Sequence, residues 1–186
     1  HGASDRARDV GPEPERGAAR PDVGRAPARG ALAAVAGDRA GDDRDGGAGD
    51  VAGNQLAGKT CFPTGSDFKL LVPLVGGEEA FYYPDGMIIC VPVPGDALFT
   101  ASPSVILEVL SPTTRRNDEV QKFRDYLTIP TLGTYILAET ESPFLTLHRR
   151  DGAGFRRETL SGPDAILDLP EAGVSFSLAE LYRDVG

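Results

Sequence analysis

The chain has 186 residues, a net charge of −9 and a hydrophobic fraction of 40%. A length of this order accommodates one domain with or without a tail. The acidity argues against non-specific binding to nucleic acid, which depends on Lys and Arg neutralising phosphates. The chain has two cysteines and two histidines, which exclude a disulfide scaffold, a multi-Cys zinc site and a His-rich metal centre.

The sequence contains no apolar run near the ~18 residues that a membrane-spanning helix needs. Its N-terminus also lacks the apolar core of a signal peptide. We therefore expect no membrane association and a cytoplasmic location. An acidic protein that acts on DNA would need a local basic patch, or a bound divalent cation that reverses the local field.

Residues 1–53 differ in composition from the rest of the chain. Ala, Gly, Arg and Asp supply 13, 11, 8 and 8 of these 53 residues, and the segment contains no Ile, Lys or aromatic residue. Such a segment cannot bury enough apolar surface to offset the loss of chain entropy. Two interpretations stay open: a disordered low-complexity tail, or an out-of-frame translation of GC-rich DNA that joins the true reading frame near Gly53.

Residues 54–186 carry the alternating apolar residues and turn signals of one folded domain. The patterns predict strands over 65–75, 81–83, 87–93, 104–110, 134–139, 144–149 and 155–160. The 104–110 run is apolar enough for a central strand that is covered on both faces, and the neighbouring 87–93 run is similar.

Two helices are predicted among these strands. The first covers 117–127, is capped by Asn117 or Asp118, and has Val120, Phe123 and Leu127 as its apolar stripe. The second opens at the capping box of residues 177–180. This order of elements predicts an α/β or α+β domain around a mixed sheet.

Glu108 is anomalous because every neighbour in the run VILEVL is apolar. An unpaired carboxylate on a central strand would cost several kcal/mol, so a compensating group is required. The carboxylate could belong to a buried ion pair, reach water at the end of the strand, or form part of a metal or general-base site. Asp85 stands at the mouth of the neighbouring apolar strand, and two carboxylates brought together would repel unless a hard cation such as Mg²⁺ binds between them.

Basic residues follow Glu108 along the chain. Lys122, one of three lysines, lies on the predicted helix and shares a face with Glu119 and Tyr126. Arg115 and Arg116 form a basic pair in the loop between Glu108 and the helix. In an acidic protein, this pair suits the positioning of a phosphate, although each of these residues could equally be a solvated surface charge.

These motifs resemble the Uma family of restriction endonucleases, a bacterial branch of the PD-(D/E)XK nuclease superfamily. The resemblance rests on the sequences YPD at 83–85, VILEVLSPTTRR at 105–116 and KFRDY at 122–126. It implies a restriction-endonuclease-like mixed central sheet with flanking helices. The family's usual N-terminal helix and hairpin have no counterpart in 1–53, so that part of the fold is expected to be missing or replaced.

The resemblance also implies a metal-dependent DNA endonuclease with Mg²⁺ or Mn²⁺ as cofactor. Asp85 and Glu108 would be the metal-binding acids, and the backbone carbonyl of Val109 would be a further ligand. The motif's usual lysine position holds Leu110, so the lysine's role is expected to have moved to Lys122. A homodimer would suit cleavage of both strands.

Two other functions remain open at this point. The domain could be a degenerate nuclease fold that serves as a non-catalytic interaction module. It could also be a glycoside hydrolase that uses Asp85 and Glu108 as its carboxylate pair, although that function leaves Lys122 without a role. A nuclease requires both acids to lie together with Lys122 pointing at them.

Overall fold

A computed structural model describes residues 55–110 and 117–183. The segment 1–53 and the pair Arg115 and Arg116 lie outside these described residues. The described part contains eleven strands: β1 (Phe62–Gly65), β2 (Lys69–Pro73), β3 (Glu79–Tyr82), β4 (Gly86–Ile89), β5 (Phe99–Thr100), β6 (Val105–Leu110), β7 (Thr134–Glu139), β8 (Phe144–Asp151), β9 (Gly154–Ser161), β10 (Ile166–Leu169) and β11 (Val174–Ser177). Its helical elements are a π-helical turn (Asn117–Lys122), α1 (Phe123–Tyr126) and α2 (Leu178–Leu181).

A six-stranded mixed sheet forms the centre of the molecule, with strand order β1-β4-β6-β7-β8-β9. The β6–β7 pair is parallel and the other neighbours are antiparallel. All six residues of β6 are buried, because both faces of the sheet are covered at this strand. The predicted mixed sheet, with β4 and β6 as neighbours, is therefore confirmed.

Each face of the central sheet carries its own hydrophobic core. One face packs against the β10–β11 hairpin and α2, and its core includes Leu107, Ile136, Leu167 and Phe176. The other face packs against α1 and β2, and its core includes Leu70, Ile106, Tyr126 and Tyr135. Since side chains alternate along a strand, Glu108 points to the same face as Ile106, beneath α1.

Several predicted elements differ from the observed ones. The single strand predicted over 65–75 is two strands, because the chain turns after Gly65, where the Phe68 N–H donates to the Gly65 carbonyl. The predicted strand 87–93 ends at Ile89. Residue Cys90, which follows, forms a disulfide with Cys61 across β1 and β4, the one disulfide of the described part.

The helix predicted over 117–127 begins as a π-helical turn and continues as one turn of α-helix. Val120 is exposed rather than part of an apolar stripe, and Tyr126 is fully buried. Within the described residues, no helix has the length and apolar character needed to cross a bilayer.

The predicted capping box at α2 is present. Ser177 Oγ accepts a hydrogen bond from the Glu180 N–H, and the Glu180 carboxylate accepts from the Ser177 N–H. Bonds from the Ser177 side chain and backbone lower the pKa of the Glu180 carboxyl. These hydrogen bonds therefore stabilise the folded protein fully at pH values above the ordinary carboxyl pKa of 4.5. This contribution is lost as the pH falls through the lowered pKa of Glu180.

We expect Ser177→Ala to lower the free energy of unfolding by about 1 kcal/mol at pH 7, because the cap loses its acceptor. Urea denaturation measures this change. Ser175→Ala, at an exposed position on β11, serves as the matched control and should have little effect. Equal losses in the two variants would contradict a role for the cap.

Candidate active site

The register of β4 and β6 places Asp85 beside Glu108. Gly86 pairs with Leu107, and Asp85 directly precedes Gly86, so it lies opposite Glu108 at the end of the ladder. Asp85 Oδ2 accepts a hydrogen bond of 2.9 Å from the Val109 N–H. The structure thus brings the two predicted acids to the same end of neighbouring strands and fixes the Asp85 carboxylate against the backbone that follows Glu108.

Glu108 is 2% exposed and has two hydrogen-bonded partners on the overlying helical segment. Lys122 Nζ lies 2.9 Å from Glu108 Oε1, and the Tyr126 hydroxyl donates to the same oxygen over 2.8 Å. A cation and a neutral donor therefore compensate the desolvated carboxylate, as a buried charge requires. A buried ion pair is one of the arrangements considered from the sequence for Glu108.

Lys122 and Tyr126 reach Glu108 together because they are four residues apart on one helical face. Lys122 is the last residue of the π-helical turn, and its side chain is 15% exposed. Such turns occur frequently at functional sites. The shared face of Lys122 and Tyr126 was predicted, and the structure shows that it faces the carboxylate.

Tyr126 is enclosed by other aromatic rings. Its ring packs edge-on against Tyr82, at a centroid distance of 5.4 Å, and against Tyr135, at 5.3 Å. Burial, followed by the Glu108 charge and hydrogen bond, raises the pKa of Tyr126 far above its ordinary value. Tyr126 therefore stays a neutral hydrogen-bond donor to Glu108 at every physiological pH.

A second tyrosine ties the helical segment to β3. The Tyr82 hydroxyl donates to Asp125 Oδ2, and Gln121 Nε2 also donates to this carboxylate. Burial and the neighbouring Asp125 raise the pKa of Tyr82 to about 12. This contact holds α1 over the sheet and so fixes the position of Lys122 above Glu108.

The donor set suits a hard cation. Carboxylate oxygens are the preferred ligands of Mg²⁺, which commonly binds one or two protein carboxylates and completes its shell with water and substrate phosphate. Asp85 and Glu108 provide such a pair, although the described residues contain no group of three or more His, Cys, Asp or Glu side chains arranged for a metal.

Tyr126 and Tyr82, which position Glu108 and the helical segment, were not predicted as site residues. Tyr126 has a local signal, its spacing of four residues from Lys122. Tyr82 has none, because its partner Asp125 is 43 residues away and the contact depends on how the small sheet β3-β2-β5 packs.

We expect Tyr126→Phe to lower the free energy of unfolding by about 1.5–3 kcal/mol, because a buried carboxylate loses a donor while the ring packing is kept. Tyr82→Phe is the matched control, since it removes a hydroxyl from the ring that packs on Tyr126. Its loss should be smaller, because Asp125 is only half-buried and keeps its bond from Gln121. A urea titration of both variants that gave the reverse order would contradict this account of Glu108.

Comparisons with known proteins identify the family of this chain. Residues 50–179 match the Uma2 family, described as "Putative restriction endonuclease". The chain is 30% identical over 132 residues to "Uncharacterized protein slr1290" of Synechocystis sp., and the alignment covers 70% of this chain and 67% of that relative.

The fold also has a counterpart among solved structures. The crystal structure of "a putative nuclease belonging to DUF820" from Anabaena variabilis is similar, with a TM-score of 0.56 and 14% sequence identity. The match covers 70% of this chain and 73% of the other. Since the family match spans well over half of the sequence, the protein belongs to the Uma2 family and has the mixed-sheet fold of its nuclease-like structural neighbour.

Proposed function

We propose that this protein is a metal-dependent DNA endonuclease that hydrolyses phosphodiester bonds. The observation that carries the proposal is the contact of 2.9 Å between Lys122 Nζ and Glu108 Oε1, beside an Asp85 carboxylate bonded to the Val109 N–H. Two acids on adjacent strands, with a lysine reaching them from the overlying helical turn, are the groups that metal-assisted phosphodiester hydrolysis uses. Membership of the Uma2 family supports the same reaction class.

In this proposal the carboxylates of Asp85 and Glu108 hold Mg²⁺ or Mn²⁺, and the Val109 carbonyl is a further oxygen donor. The ion, when bound, would polarise the phosphoryl oxygen and lower the pKa of a coordinated water. Asp85 is suited to this role because the Val109 N–H fixes its orientation. Glu108 is suited because Tyr126 and Lys122 fix its Oε1 atom within the low-dielectric interior.

Lys122 has two tasks in this arrangement. Its ammonium group offsets the charge of Glu108, and its partial exposure of 15% leaves it accessible from the site. From that position it orients the attacking water and stabilises the negative charge that develops on the phosphate. Arg115 and Arg116 keep their predicted role in substrate binding as part of the proposal.

The two alternatives make different use of Lys122. A glycoside hydrolase needs two carboxylates across a cleft and no lysine, so it does not account for the Lys122–Glu108 contact. A non-catalytic interaction module would keep Glu108, Lys122 and Tyr126 as a structural ion-pair cluster without metal binding.

The proposal also includes residues 54–186 as the nuclease-like domain, a cytoplasmic location, and a homodimer for cleavage of both DNA strands.

We expect Glu108→Gln and Asp85→Asn each to weaken Mg²⁺ or Mn²⁺ binding and to abolish metal-dependent nicking of supercoiled plasmid. Each change removes a charged ligand while it keeps the side-chain shape. Isothermal titration calorimetry and the nicking assay are run on the same preparations. Asp96→Asn, at an exposed aspartate of the β4–β5 connection, is the matched control. Metal binding that is equal in all variants would leave the interaction module as the better description.

Lys122→Met should keep metal binding but lower the nicking rate by roughly 10²–10⁴-fold, the range for loss of a positioned proton-transfer group. Because this change leaves Glu108 buried without its cation, Lys122→Arg is made alongside it to retain the charge and the fold. Lys59→Met, at a lysine that donates to the Gly173 carbonyl, is the control. Nicking at the unaltered rate in well-folded Lys122→Met protein would exclude the proposed role of this residue.

A further inference from the structure

A pocket of about 260 Å³ lies on the same face of the sheet as Glu108. It is lined by Phe123, Leu137, Thr146, His148 and Arg157. Its volume is roughly nine times the ~30 Å³ that one water occupies in the liquid, which is ample for a phosphate group. Phe123 follows Lys122 directly in the chain, so the pocket and the candidate active site share the α1 segment as their cover.

The strand register fixes the position of the pocket relative to Glu108. Glu108 pairs with Leu137, which pairs with Thr146, so the pocket floor continues the row of side chains that contains Glu108. His148 and Arg157 form a direct cross-strand pair in the neighbouring row, two residues further along. Two strand spacings and two residues of strand rise separate Glu108 from His148, a distance of about 12 Å.

The cations of this part of the sheet differ in their partners. Arg150 donates to the carbonyls of Leu132 and Ile129 and packs on the ring of Phe155. On the opposite face, Arg149 and Arg156 form ion pairs with Glu158. Arg157, by contrast, is exposed at the pocket and has no carboxylate partner among the described residues.

His148 adds a second donor to the pocket and is held firmly in place. Its ring contacts Phe123 at a centroid distance of 4.2 Å and stacks with Tyr135 at 6.1 Å. Burial and the charge of Arg157 lower the pKa of His148. A second positive charge beside Arg157 is therefore disfavoured unless an anion enters the pocket, and an anion there would gain from both side chains.

We propose that His148 and Arg157 form a phosphate-binding subsite that takes a backbone phosphodiester of a nucleic-acid strand flanking the scissile position. The chemistry is that of an oxyanion between a guanidinium and an imidazole. The separation of about 12 Å from Glu108 is several times the ~3.4 Å rise per nucleotide of a DNA strand, so the subsite takes a phosphate other than the scissile one. The subsite rests on the proposed function, and it extends the substrate contact along the sheet face.

The experiment compares Arg157→Gln with Arg156→Gln in the full chain. Both changes remove one positive charge from an exposed arginine of β9, but adjacent residues of a strand face opposite sides of the sheet. The change in net charge is therefore matched. Arg156→Gln also removes an ion pair with Glu158, whose carboxylate keeps its contact with Arg149. Binding of a fluorescein-labelled 20-base-pair duplex is followed by anisotropy over a range of salt concentrations, with EDTA present to prevent cleavage.

We expect Arg157→Gln to raise the Kd for DNA about 5–10-fold and to reduce the salt dependence by about one phosphate contact. Arg156→Gln should stay within about twofold of the unaltered protein. Equal Kd values in the two variants would overturn the subsite and leave Arg157 as a solvated charge on an edge strand. Perturbation of the His148 ring signals by inorganic phosphate, in a protein that binds no DNA, would also overturn it, since the pocket would then take free phosphate.

The plasmid-nicking assay separates this inference from the proposed function. If the protein nicks DNA in a metal-dependent manner but the two arginine variants bind DNA equally, the proposed endonuclease function stands and the subsite proposal is wrong. If Arg157→Gln alone loses DNA binding and the protein does not nick DNA, the subsite proposal stands and the proposed endonuclease function is wrong.

Discussion

The buried carboxylate of Glu108 is the constraint on which the site and its surrounding structure depend. Strand β6 must be apolar to form the centre of a sheet that is covered on both faces, and an acid at its fourth position is tolerated only with a partner. Lys122 and Tyr126 provide that partner from one helical face. The helical segment must therefore sit over this point of the sheet, because any displacement would leave a desolvated charge.

The position of the helical segment is itself set by contacts distant in sequence. The Tyr82 hydroxyl, on β3, donates a hydrogen bond to Asp125, and the Tyr82 ring packs against the Tyr126 ring. The small sheet β3-β2-β5 therefore stabilises the position of α1. The pairing of β4 with β6 then delivers Asp85 to the same end of the sheet. The candidate site thus depends on the register of β4 and β6 and on the contacts of Tyr82 with the helical segment. Neither feature can be predicted from the local sequence around Glu108.

The prediction from sequence succeeded at Glu108, where a charged residue lies within an otherwise apolar run. Glu108 within VILEVL and the apolar character of 104–110 were sufficient to predict a central strand with a compensated acid. The reasoning failed where a side chain's role comes from a partner that only the fold brings near, as with Tyr82 and Asp125. His148 and Arg157 are a similar case, because their pairing follows from the register of two antiparallel strands. The β10–β11 hairpin was missed, although Leu167 and Leu169 alternate with exposed residues as a half-buried strand requires.

Because the net charge is −9, the positions of the unpaired cationic side chains determine where a polyanion can bind. A polyanion approaching such a protein is repelled on average, so it can settle only where cations are not already neutralised by nearby carboxylates. Among the described arginines of β8 and β9, three are held by carbonyls or by Glu158, and Arg157 remains exposed at the pocket beside the Glu108 row. The sheet face that carries Glu108 therefore also presents a cation to solvent. In the proposed complex a nucleic-acid strand would cross this sheet face toward Asp85 and Glu108, and the direction of its approach would follow from side-chain alternation along β9.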